Sequence, residues 1–295
     1  MERPGVHLAV ASGKGGTGKT TIATNLAVVA QTDGHRVTYA DCDVEGPNGH
    51  LFLPPDPEQR TDVAAMIPVV AEGVCNLCGV CADVCEFNAL AVMGKKVLLF
   101  PSLCHSCNAC ITLCPERAMT EGMRSIGFVR SGPARGLFFV GGNLNVGEAQ
   151  APPLIKAVKT GLSRDGLVII DAPPGTSCPV VESVRDADYV ILVTEPTPFG
   201  FNDLRLAVSM LRELERPFGV VINRCDIGDS LLRDYCHHER VRILLEIPFD
   251  RRIAQAYSAG RLAASEDARP RQQMMSLYQA VMQEISYVRA CGSQR

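Results

Sequence analysis

The sequence predicts an α/β protein: a mostly parallel sheet covered by helices on both faces, with a small α+β unit inserted into it. Three observations predict this. Near-continuous runs of Val, Ile and Leu alternate with helical stretches, the pattern of strands buried on both faces. The first run passes through a glycine-rich loop, GKGGTGKT, directly into a helix. Midway the alternation stops for eight cysteines in two equal runs, then resumes. The expected sheet unit therefore comprises residues 1–65 and 123–295, and the insert residues 66–122.

Residues 6–12 are the first expected strand, 13–20 the loop, and 19–32 a helix. A second strand spans 36–43 and runs into DCDVEGPN. The polar, proline-rich PPDPEQR at 54–60 reads as a linker. Inside the insert, Gly94-Lys95-Lys96 is a turn between short strands at 90–93 and 97–100, and another short strand is expected at 118–120. Each cysteine quartet is followed by such a strand, an internal duplication. Beyond it, strands are expected at 137–142, 167–173, 189–195, 218–224 and 241–247, with helices at 151–163, 202–214, 230–238 and 271–288. The segment GGNLNVGEAQAPPLIK, residues 141–156, reads as a connecting loop between a strand and a helix.

The chain has 295 residues, 46% of them hydrophobic, enough for one large core and a small module. No apolar run approaches the length of a membrane span. The N-terminus lacks the features of a signal peptide, and the C-terminal SYVRACGSQR is short and weakly amphipathic. A cytoplasmic protein without a stable membrane anchor is expected. The net charge of −3, with no basic stripe, argues against general nucleic-acid binding. Thirteen cysteines would suit disulfides in a small secreted domain, but eight have ligand spacing, which favours thiolates in a reducing compartment. The other five, Cys42, Cys178, Cys225, Cys236 and Cys291, form no C-x₂-C pair and read as small hydrophobes or idle thiols.

The loop fits the phosphate-binding pattern G-x₄-G-K-[ST] in full. Backbone N–H groups of Gly13, Lys14, Gly15, Gly16, Thr17 and Gly18 can close round phosphate oxygens. Lys19 can reach the β- and γ-phosphates, and the Thr20 hydroxyl can bind Mg²⁺, with Thr21 following on the helix. The helix directs its positive end at the phosphates. Asp171 ends an apolar strand in VIIDAPPGTS, where a carboxylate can hold Mg²⁺ through water.

These motifs resemble the deviant phosphate loop of the MinD/ParA/Mrp ATPases, a group that includes the nitrogenase iron protein. The resemblance covers roughly residues 5–53 and 136–260. It rests on the early Lys14 in KGGTGKT, on DCDVEGPN as switch I, on VIIDAPPGTS as the Walker B strand and switch II, and on VVINRCD. It implies a P-loop ATPase, slow without a partner, acting as an ATP-dependent dimer of identical or related chains. Lys14 would cross the dimer interface to the partner's nucleotide, acting as an arginine finger does. Asp43, with Asp41 beside it, would orient the attacking water, and Asn223 would read the adenine. EIPFD at 246–250 resembles the later base-side loop more weakly. Pro173–Thr176 carry the Pro-Pro-Gly-Thr form of the Mrp branch.

Both cysteine runs read C-x₂-C-x₂-C-x₃-C, and Pro115 follows the second: the spacing of bacterial two-cluster ferredoxins. Zinc sites usually use paired C-x₂₋₄-C units instead. The resemblance implies two [4Fe–4S] clusters with crossed fourth ligands: Cys75, Cys78, Cys81 and Cys114 on one, Cys104, Cys107, Cys110 and Cys85 on the other. Glu86 stands where a proline often follows the first run. His105 and the His237-His238 pair read as solvated histidines, the pair at the end of a surface helix.

The whole therefore resembles a MinD-superfamily ATPase carrying an inserted ferredoxin domain. Three functions are implied. ATP-gated electron transfer to a redox partner leads, with dimer closure altering the clusters. The second is iron–sulfur or metal-cofactor assembly, with delivery to an accepting protein; the C-x₂-C pair of the Mrp branch is missing here. The third is a MinD/ParA-type positioning ATPase.

Overall fold

Six of the seven residues of β1 (Val6–Ser12) are buried, because strands pair with it on both sides and helices cover both faces. This is a computed structural model, and it describes residues 5–163 and 165–292. The ends of the sequence-based reading, residues 1–4 and 293–295, lie outside the described residues.

The phosphate loop leads from β1 into α1 (Lys19–Thr32), followed by β2 (Val37–Asp41) and the short α2 (Gly49–Phe52). Next come β3 (Gln59–Val70), α3 (Val80–Asp83), the hairpin β4 (Leu90–Met93) and β5 (Lys96–Leu99), and α4 (Ala109–Thr112). The chain returns along β6 (Met119–Ala134) to β7 (Leu137–Leu144) and α5 (Pro152–Thr160). It then alternates through β8 (Leu167–Pro174), α6 (Cys178–Val184), β9 (Tyr189–Thr194), α7 (Pro198–Glu213), β10 (Phe218–Asn223), α8 (Leu231–His238) and β11 (Ile243–Ile247). It ends with α9 (Arg251–Ser258), α10 (Ala263–Glu266) and α11 (Ala268–Gly292).

The main sheet has the order β11-β10-β9-β1-β8-β2-β7-β6-β3. Pairing is parallel from β11 to β7, and antiparallel for β6 and β3. One apolar core packs α1, α10 and α11 on one face through Ile22, Leu26, Leu277 and Val281. The other packs α5 to α8 through Leu154, Val180, Leu204 and Leu232. The mostly parallel, two-faced α/β expectation holds. Local signals shape the helix starts: Thr197 caps α7 by accepting from the Gly200 amide at 3.0 Å, with Pro198 in the first turn.

Two departures matter. Residues 59 and 60 open β3 instead of continuing a linker, and the short strand expected at 118–120 is the start of the 16-residue β6. Their sequences mix Gly, Pro and charged residues with apolar ones, so neither shows a clear period. Pairing from Gln59↔Ser131 to Val70↔Met119 makes them strands. The expected divisions at 65/66 and 122/123 fall within this ribbon. The cysteine-rich segment thus sits at the tip of an antiparallel extension of the main sheet. The ribbon's register shifts at Val63/Ala64, opposite the fully buried Ile126.

Candidate functional site: a phosphate loop and two cysteine-lined cavities

Parallel strands end together, so the loops after β1, β2, β8 and β10 meet at one edge of the sheet. There a cavity of about 300 Å³ is lined by Gly15, Gly16, Gly18, Lys19, Thr20, Thr21, Asp43 and Asn223, together with Pro248, Phe249 and Tyr257. Gly13, Lys14 and Thr17 complete the loop. Gly18 turns the chain into α1 at φ 93°, and a Cβ there would lie 2.5 Å from Asn223 Nδ2, so only glycine serves. Asn223 Nδ2 donates to the Thr17 carbonyl at 2.8 Å. The residue expected to read a base thus also braces the phosphate loop.

Lys19 Nζ donates to Asp171 Oδ1 at 2.7 Å and lies 3.9 Å from Asp43 Oδ2. Burial, the largest single influence, would lower the Lys19 pKa, but Asp171, Asp43 and Asp41 together hold the ammonium above its ordinary value. Asp171 is fully buried, and its Oδ2 accepts the Tyr39 hydroxyl at 2.8 Å. Asp41, its register partner on β2, accepts the Asp43 amide at 3.1 Å and the Gly49 amide at 2.8 Å. Burial, followed by the charge of Asp171, pushes the Asp41 carboxyl up to about 7. Burial also raises Asp43, with Lys19 opposing it.

Lys14 is 30% exposed, with Nζ 3.9 Å from Glu195 Oε2. Glu195 also lies 3.0 Å from Arg224 Nη1, an ion pair without hydrogen-bond alignment. Glu195 and Tyr39 carry no motif, and sequence reasoning missed both; each meets its partner only through the sheet. A nucleotide with Mg²⁺ fits these residues on three observations. The Thr17 hydroxyl is buried without a hydrogen-bond partner, the Lys19 ammonium stands at the loop, and Thr20 and Asp171 supply hydroxyl and carboxylate oxygens.

The cysteine segment repeats itself every 29 positions, as from Cys75 to Cys104. The repeat extends to the backbone. Positive φ occurs at Leu77, Gly79 and Asn88, and again at Ser106, Asn108 and Arg117. The turns α3 and α4 correspond, as do two N–H···S hydrogen bonds of 3.3 Å, Ala89 N to Cys85 Sγ and Ala118 N to Cys114 Sγ. One cavity is lined by Cys75, Cys78, Cys81 and Cys114, and a second by Cys85, Cys104, Cys107 and Cys110. No cysteine among the described residues forms a disulfide, and no three His, Cys, Asp or Glu side chains there converge on a single-ion site. Thiols spread round a cavity wall suit a ligand with several metal atoms better than one ion. His105 stacks on Phe87 at 3.6 Å beside the second cavity. His237 and His238 form the last turn of α8.

The loop between β7 and α5 joins the two regions. Leu144 N donates to the Val44 carbonyl at 2.9 Å, one residue beyond Asp43. Glu148, whose side chain is almost wholly buried, accepts a two-pronged hydrogen bond from Arg124 on the ribbon. Gln150 Nε2 donates to the Cys104 carbonyl at 2.7 Å.

The model of the CobQ/CobB/MinD/ParA nucleotide binding domain matches residues 8–263. An uncharacterized protein of Methanocaldococcus jannaschii is 32% identical over 86% of this chain and 89% of its own length. A Pyrococcus horikoshii protein named iron-sulfur cluster carrier protein is 26% identical, over 97% of this chain and 88% of its own. The cell division ATPase MinD of Pyrococcus furiosus superposes with a TM-score of 0.58 at 19% identity, covering 94% of this chain and 98% of that one, a likeness of fold. Among the described residues no helix is long and apolar enough to cross a membrane.

Proposed function

The chain belongs to the CobQ/CobB/MinD/ParA nucleotide-binding family, and from that premise we propose that this P-loop ATPase couples an ATP-driven dimer to two [4Fe–4S] clusters for ATP-gated electron transfer. The observation that carries the proposal is the partition of eight cysteines into two cavities, three from one run and the fourth from the other. It supports the crossed ligand sets that the resemblance to two-cluster ferredoxins implies. When bound, the clusters supply one-electron redox chemistry.

The chain's own residues do the rest. In the free site Lys19 is held by Asp171. With a triphosphate bound, Lys19 would pair with its phosphates, and Thr20 and Asp171 would hold Mg²⁺, which would supply neutralising charge there. Asp43 orients the attacking water. Lys14 leaves Glu195 and reaches the nucleotide of a second copy. The free energy of closure can act on the clusters only through contacts that differ between open and closed states. The Val44–Leu144 and Gln150–Cys104 hydrogen bonds flank the β7–α5 loop and link the segment after Asp43 to the second cysteine cavity, so closure would act on the clusters through them.

Two expectations follow here. With ATP, the Asp43→Ala protein should sediment as a dimer and the Lys14→Ala/Asp43→Ala protein as a monomer; equal dimerisation would remove Lys14 from the interface. Gln150→Ala should keep full iron content and bulk ATPase activity but lose most of the nucleotide-dependent change at the second cluster. An undiminished change would show that the loop carries none of it.

The deciding experiment is an anaerobic redox titration followed by EPR on Asp43→Ala protein, first with MgADP and then with MgATP. A shift in potential or line shape is expected. Two unaltered clusters would remove ATP-gated electron transfer. One second reading has its own support: relatives named iron-sulfur cluster carrier protein, and the Pro-Pro-Gly-Thr turn by which this chain resembles the Mrp branch, favour cluster delivery to an accepting protein. Rapid loss of the clusters to a chelator or apo-acceptor would favour it, and retention would count against it.

A further inference from the structure

Tyr39 has no counterpart in the phosphate-loop motifs, yet it reaches the centre of the site. It is fully buried on β2, where its register partners are Ile169 on β8 and Phe139 on β7. Asp171 lies two residues beyond Ile169 on the same strand and face, so a long side chain at 39 meets it diagonally. The Tyr39 hydroxyl donates to Asp171 Oδ2 at 2.8 Å.

The ring is held on two sides. Phe139 stacks against it with centroids 5.8 Å apart. Gly49, at the start of α2, lies so close that a Cβ there would fall 2.6 Å from the ring and 2.9 Å from the hydroxyl oxygen. The same Gly49 donates its amide to Asp41 Oδ2. Asp41 is thereby satisfied by backbone donors and does not compete for the Tyr39 hydroxyl.

The two oxygens of Asp171 therefore have different donors. Oδ1 is held by Lys19, which a triphosphate draws away; Oδ2 is held by Tyr39, which packing fixes in place. We propose that Tyr39 is a positioning residue for the ATPase reaction, holding the Asp171 carboxylate so that Oδ1 faces a water of the nucleotide-bound divalent cation once Lys19 leaves. Lacking this donor, the fully buried Asp171 carboxylate would keep one oxygen unpaired and be free to turn about its last torsion. Partners that orient a metal-binding group in this way typically change metal affinity by about 10- to 100-fold.

The inference rests on the assignment of Asp171 to the cation, and the test separates the two. Mn²⁺ serves as the probe, and its binding to the Asp43→Ala protein with ATP is followed by EPR titration. Tyr39→Phe in that background keeps the ring and removes the hydroxyl. It should weaken Mn²⁺ binding about tenfold while leaving ATP binding without metal unchanged. With Asp43 intact, the KM for Mg²⁺ should rise and kcat at saturating Mg²⁺ should stay near that of the unaltered protein. Phe139→Leu, which spares the hydroxyl and leaves Gly49 against the ring, should weaken Mn²⁺ binding far less than Tyr39→Phe does.

Mn²⁺ affinity within about twofold of the parent in Tyr39→Phe would overturn the inference, as would a matching loss in Phe139→Leu or equal losses of metal-free ATP and Mn²⁺. Asp171→Asn tells where a failure lies. If it also leaves Mn²⁺ affinity intact, the underlying cation assignment fails; if it weakens binding and Tyr39→Phe does not, only the role of Tyr39 fails.

Discussion

Replacing Asp43 with alanine is expected to leave ATP bound and to slow its hydrolysis by about 10²- to 10⁴-fold, the usual contribution of a group that positions or deprotonates a nucleophile. Asp43 follows β2 on a loop tied down by its own amide, which donates to Asp41 Oδ1, and by its carbonyl, which accepts the Gly46 amide at 3.1 Å. Its carboxylate faces Lys19 from 3.9 Å and lines the nucleotide cavity. Removing that negative charge leaves the phosphate donors untouched and relieves repulsion with a bound triphosphate, so binding should persist or tighten. Equilibrium ATP binding and single-turnover phosphate release check the two halves separately. Turnover at the original rate would take Asp43 out of the reaction. Loss of both ATP binding and turnover would make it a structural support of the loop.

The second large effect concerns the fourth cysteine of each run. Cys114→Ala should halve the iron, from about eight to about four atoms per chain. The informative comparison is between double variants. Cys75 and Cys114 line one cavity, Cys104 the other. Adding Cys75→Ala to Cys114→Ala should therefore cost no further iron, because both changes strike one cluster. Adding Cys104→Ala should remove the remainder. Uncrossed ligation reverses this pattern, so iron content with EPR of the reduced proteins decides between them. Two changes at one site are not additive, while changes at separate sites are.

The elements that sequence reasoning recovered are those whose signal lies within a few consecutive residues. β1, β8, β9 and β10 are apolar enough to be recognised alone. The hairpin of β4 and β5 was legible from Gly94-Lys95-Lys96 between two short apolar runs. β3 and β6 were not. β6 contains Gly122, Gly127, Gly132 and Pro133, and becomes a strand only because β3 and β7 pair on either side of it. That difference matters for function, since the cysteine segment is carried on a paired ribbon continuous with the sheet.

By itself the sequence determined the phosphate loop, the early Lys14 and the two cysteine runs. In each, the groups that share a task are neighbours along the chain, so spacing alone reports the geometry. The tertiary structure brings the crossed cysteine sets implied by the ferredoxin resemblance to shared cavities, and it alone decided that Lys19 is held by Asp171 across 152 residues and that Tyr39 meets that carboxylate across 132. It also placed Glu195 against Lys14 and Gln150 on the carbonyl of Cys104. Such contacts are made by strand register and loop closure. A single tyrosine, glutamate or glutamine acquires its role from what the fold brings beside it, and no local pattern records that.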